Sequence, residues 1–115
     1  MSHSYYHALS SAEQFGGEAG DYLAIHDWFD EFKNAMPDLR HRAIRHHSQG
    51  IHECERVFGA ILVNSADKTV PVRLVGEQHV MEDLGKIPTM QDWLTELPMK
   101  SWMAKSKKLS EKFNE

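Results

Sequence analysis

Gly59–Val80 reads GAILVNSADKTVPVRLVGEQHV, and the fold class turns on it. Two runs rich in β-branched residues, Ala60–Asn64 and Val70–Val75, flank the polar turn Ser65–Thr69 with its Asp67 and Lys68. That pattern predicts a β-hairpin. Pro71 has no N–H to give a ladder, so the second strand is an edge or starts late. Gly76–His79 then leaves the hairpin, which puts His79 at a strand end, where functional groups are often presented. Val80–Leu84 is expected to form a short helix closed by Gly85. A single hairpin is marginal alone and must pack on helices or pair with another chain.

Upstream the rhythm is helical. Tyr22, Ile25, Phe29, Phe32 and Met36 share a 3.6-residue spacing, which predicts a helix over 22–35 behind the N-cap Asp21. Leu39, Ala43, Ile44, Ile51, Cys54 and Phe58 continue the period, predicting helices over 38–48 and 51–58, with Gly50 as cap or kink. Ser10-Ser11-Ala12-Glu13 fits a capping box in Ser2–Phe15, where a short helix is expected before Gly16 and Gly17. Thr89-Met90-Gln91-Asp92 resembles a capped helix start, with Trp93, Leu94 and Leu97 as its apolar face. The expected fold is therefore α+β: four or five short helices around one hairpin. Residues 1–98 would form one domain, and the lysine-rich 99–115 a C-terminal helix or tail.

Composition bounds the function. The 115 residues make one domain's worth. The net charge is −4 with histidines neutral, which argues against nucleic acid as a partner. No run of about 18 apolar residues is present, so no membrane span is expected. No basic start with an apolar middle marks a secretory signal, and the lone Cys54 excludes an internal disulfide framework; both point to the cytoplasm. Eight histidines stand out, six of them between His26 and His79.

Three groups of histidines and carboxylates carry the chemistry. In His26-Asp27-Trp28-Phe29-Asp30, His26 and Asp30 are four apart and face one way on a helix. The adjacent pair His26-Asp27 also occurs in metal-dependent phosphohydrolases of the HD type. In Arg40–His47, His47 shares the apolar face with Ala43 and Ile51, and His46 lies about 100° round the helix. Arg40, Arg42 and Arg45 form a basic patch, either able to hold a phosphate or paired with Asp27, Asp30 or Glu31 on a solvated face. His79, with Glu77, Glu82 and Asp83 nearby, is the third group. His3 and His7, near the terminus, are set aside, and Cys54 on the buried face is expected to be inert.

Imidazole and carboxylate together suit a divalent transition ion, zinc first, with nickel, manganese or iron as alternatives. The expected ligands are His26, His46, His47 and His79, with Asp27 and Asp30 as ligand or catalytic base. The chain then reads as a small histidine-rich metal-binding domain, with metal-dependent hydrolysis as its reaction. The alternative is a non-catalytic interaction module. It would act through an edge strand on an unknown protein partner, or on a second copy as a homodimer.

HDWFD at 26–30, RHRAIRHH at 40–47, Gly50-Ile51, ERVFG at 55–59, GEQHV at 76–80, EDLG at 82–85, Ile87-Pro88 and Trp93-Leu94 together resemble a family of short uncharacterised proteins of bacteria and phages. The resemblance spans residues 5–97 and leaves the lysine-rich tail outside. It implies a compact domain and assigns no catalytic role; a phage setting implies a host- or defence-directed protein.

Overall fold

A computed structural model describes residues 3–104. The fold is α+β, with six α-helices and one antiparallel hairpin among the described residues, rather than four or five helices. The helices are α1 (His3–Phe15), α2 (Leu23–Phe29), α3 (Arg42–Arg45), α4 (Ser48–Phe58), α5 (Val72–Leu84) and α6 (Met90–Leu94). The hairpin pairs β1 (Ile61–Val63) with β2 (Thr69–Pro71) in the register Ile61 with Pro71, Leu62 with Val70 and Val63 with Thr69. No helix among the described residues is long and apolar enough to cross a membrane. Of the lysine-rich tail, Ser101–Ala104 is a 3-10 turn; the rest of the expected tail, 105–115, lies outside the described residues.

The hairpin forms where expected, but its second strand is short. Val72 donates one last bond to the Ala60 carbonyl (3.0 Å), and the chain turns helical directly after Pro71. Proline suits a helix start, because the first N–H groups have no intrahelical acceptor. Val72, Val75, Gly76, His79 and Val80 then fall at i, i+3, i+4, i+7 and i+8, and all are buried. The β-branched run is thus the first turn of α5, and His79 sits mid-helix rather than at a strand end. Gly85 ends α5 at φ 75°, a left-handed conformation that glycine adopts freely.

α5 is the central element and packs against α1, α2 and α4. The core joins Ala8, Tyr22, Ile25, Phe29, Ile51, Cys54, Val70, Val72, Val75 and Val80. On α1 the expected capping box at Ser10 is mid-helix, since the helix begins at His3. The helix expected over 22–35 divides into α2 and a 3-10 turn at Glu31–Asn34.

The expected helix over 38–48 divides further, into a 3-10 turn at Leu39–His41 capped by Asp38, then α3, then a joint at His46-His47 in which His46 turns and His47 is extended. Gly50 explains the joint. It neither caps nor kinks; it lies in the first turn of α4, with its Cα so close to the Arg45 carbonyl that no side-chain carbon fits between them. The chain crosses itself there because position 50 is glycine. α6 starts as its sequence predicts, with the reciprocal Thr89–Asp92 capping box.

Candidate metal centre

α5 presents His79 and Asp83 one turn apart on the same face. α3 ends at His46, whose carbonyl accepts the Trp93 indole N–H (2.9 Å). α2 ends at Asp30. These three segments bring two imidazole Nε2 atoms and two carboxylates together, with one donor atom from each residue within 4.8 Å of all the others.

The separations match a coordination shell. The Nε2 atoms of His46 and His79 are 3.2 Å apart. Asp83 Oδ2 lies 2.8 Å from His46 Nε2 and 3.2 Å from His79 Nε2, and Asp30 Oδ1 lies 3.5 Å from each. A tetrahedron built on bonds of about 2.0–2.1 Å has edges of about 3.3–3.4 Å.

A chain of hydrogen bonds behind His79 orients its ring. Gln78 donates its amide to the His7 carbonyl (2.9 Å) and to Glu82 (3.0 Å), so its Oε1 is left to accept. The single Ser11 hydroxyl proton goes to that Oε1 or to the His7 carbonyl. Ser11 Oγ therefore accepts from His26 Nε2–H at 2.7 Å. His26 Nδ1 is then bare and accepts from His79 Nδ1–H at 2.9 Å. The His79 Nε2 lone pair points at the carboxylates as a result. His46 has no such support, since its Nδ1 is buried without a hydrogen-bond partner.

Ligation needs ionised carboxylates and neutral imidazoles, and the shifts at Asp30, Asp83 and His46 lie in those directions. Burial disfavours ionised Asp30, but the contacts from His79 and His46 outweigh it and bring its pKa down to about 2. Burial acts likewise on Asp83, and the hydrogen bonds from His46 and His7 hold it far below the usual carboxylate range. Burial, then the neighbouring His79 and His7, pushes His26 down to about 2. Burial also lowers His46, against the opposing hydrogen bond to Asp83.

The expected site residues divide. The structure brings His46, His79 and Asp30 together and puts His26 behind His79. It does not bring in His47 or Asp27. Both His47 nitrogens face backbone: Nδ1 accepts from Gly50 N–H (2.9 Å), and Nε2–H donates to the Ile44 carbonyl (3.0 Å). His47 thereby caps α4, a role that the break before Ser48 creates. Asp27 is exposed on the outer face of α2.

The sequence reading groups Asp83 with His79 but does not place it among the ligands, and it sets His7 aside. Asp83 is four after His79, a spacing that signals a shared face only once both lie on one helix. His7, set aside for its terminal position, lies on α1 against Glu82 (Nδ1, 2.7 Å) and Asp83 (Nε2, 3.1 Å). Burial works against its charge, but the two carboxylates outweigh it and raise its pKa. Cys54 takes no part; burial pushes its thiol up to about 12, which keeps it protonated and unreactive.

Over residues 2–103 the sequence matches the family model described as "Domain of unknown function (DUF6915)". The chain belongs to the DUF6915 family. No similar chain was found among curated proteins or among solved structures. In this DUF6915 chain the matched span covers every residue of the histidine–carboxylate group, from His7 to Asp83.

The arginine run is largely spent on local pairs. Arg40 binds Asp38, and Arg45 donates to Glu31 and to the Trp28 carbonyl while stacking over the Trp28 ring. Arg42 alone turns to the centre, 3.7 Å from Asp83.

Proposed function

We propose that this chain binds one divalent transition metal ion, zinc first, through His46 Nε2, His79 Nε2, Asp30 and Asp83, with His26 orienting His79. The supporting observation is the convergence of four donor atoms from three separate segments within 4.8 Å. Two imidazoles with two carboxylates suit zinc, iron, nickel or manganese more than calcium or magnesium. Four protein donors fill a tetrahedron, so an ion held there would activate a water only at a further position or in place of one carboxylate; at such a position it would lower the water's pKa toward ~7, and metal-dependent hydrolysis is the reaction class this would serve.

Elemental analysis of untagged protein tests the reading. It should find about one ion per chain, in keeping with a single centre. His79→Ala and Asp83→Ala should each lose the ion, and alanine at the exposed His52 should keep it. Folded protein that stays metal-free after equilibration with zinc, nickel, manganese and iron would overturn it.

A second reading, an interaction module, is favoured by Ile61 and Val63. Both side chains are more than half exposed on β1, whose outer edge has no strand partner among the described residues. Under it, light scattering should show a dimer that Val63→Lys disperses; a monomer at high concentration, with no partner retained on an affinity column, would count against it.

A further inference from the structure

A cleft of about 180 Å³ opens beside the centre, lined by Asp30, Lys33, Pro37, Leu39, His41, Arg42 and Asp83. Two of the four proposed ligands thus line it together with two cations, of which Arg42 lies 3.7 Å from Asp83. Lys33 comes from the 3-10 turn after α2, and Arg42 from the first turn of α3.

The cleft also holds unspent hydrogen-bonding capacity. His41 is 2% exposed, and its Nδ1–H donates to the Asp38 carbonyl at 2.7 Å. Its Nε2 has no hydrogen-bond partner; the nearest carboxylate atom, Asp30 Oδ1, is 3.5 Å away. The Arg42 Nε–H is likewise buried and unpartnered. A buried N–H left unpaired is unfavourable, so the Arg42 guanidinium keeps donor capacity that an anion beside it can take up, whereas the bare His41 Nε2 is an acceptor and favours no anion.

We propose that this cleft takes the phosphoryl group of a small phosphate ester, with Arg42 and Lys33 clamping its oxygens beside the ion. The proposal rests on the metal-binding reading above. Without an ion, Asp30 and Asp83 offset the two cations and disfavour an anion. With the ion's charge added, the lining of the cleft is net cationic. A guanidinium and an ammonium approaching from different elements suit a tetrahedral oxyanion better than a planar carboxylate. The volume lies below the 300–1,000 Å³ or so typical of pockets for whole drug-sized ligands, so the head group enters and the rest of the ester stays outside.

Isothermal titration of inorganic phosphate into metal-loaded protein tests this, after the metal content has been measured. Phosphate should bind the loaded protein and bind the chelator-treated protein about tenfold more weakly or less. Arg42→Gln and the partly exposed Lys33→Gln should each keep the ion and the melting transition and lose about tenfold in phosphate affinity. Acetate at equal ionic strength should bind more weakly than phosphate. Loaded protein that ignores phosphate, binds acetate equally well, or binds phosphate unchanged in both variants would overturn the phosphoryl proposal and leave the metal centre standing. Protein that takes up no ion would overturn both.

Discussion

His26 shows how one residue can matter to the centre without touching an ion. Its bare Nδ1 holds the His79 Nδ1–H, and its own Nε2–H is held by Ser11. Replacement by phenylalanine keeps the apolar packing and removes both bonds. Metal affinity should then fall about 10–100-fold, the usual effect of losing the group behind a ligating histidine. Competition against a chromophoric chelator measures it, and an unchanged affinity would mean that His79 needs no orienting partner. The spacing of His26 and Asp30 was legible as a shared helix face. Which of the two joins His46, His79 and Asp83 was not, because that depends on where α2 stops.

Among the elements, the joint between α3 and α4 and the start of α5 set the site. The period of Leu39, Ala43, Ile51 and Cys54 runs through the joint as though one helix crossed it, and this hid the capping role of His47. Gly50 was visible, but its reason, the Arg45 carbonyl against its Cα, is a tertiary contact. His47→Ala should therefore destabilise the fold by about 0.5–2 kcal/mol, the range for a lost N-cap, and leave the metal content unchanged. Gly50→Ala should cost more, about 1–3 kcal/mol or above, because backbone must move. Urea unfolding with metal analysis of each variant checks both, and an ion lost in folded His47→Ala would return that residue to the ligand set. In α5 the stripe Val72, Val75, Gly76, His79, Val80 is helical in period, yet glycine and histidine do not register as apolar. The β-branched residues favour a strand reading, which puts His79 at a strand end and Asp83 on a following short helix, so their shared face does not show. Local chemistry sufficed for the hairpin turn and the Thr89 cap.

For the whole molecule, the buried imidazoles tie stability to pH. In metal-free protein, His26 and His46 are held neutral in the fold and take up protons near pH 6.5 when unfolded. Their contribution is present above pH 6.5 and is lost as the pH falls below it. His7 is raised, so its contribution is present below pH 6.5 and fades as the pH climbs through its folded value. Two groups oppose one, and Asp30 and Asp83 add to the loss once the pH falls below 3.8. The melting temperature in chelator should therefore drop between pH 7.5 and pH 5; a flat or rising profile would show that the lowered histidines do not dominate.

The ligand set itself can be read by X-ray absorption at the edge of the ion that the purified protein retains. We expect two imidazole nitrogens and two carboxylate oxygens at about 2.0–2.1 Å, with the imidazole signal lost in His79→Ala. A retained ion whose shell contains no imidazole, or the same shell in His79→Ala, would contradict the assignment of His46, His79, Asp30 and Asp83.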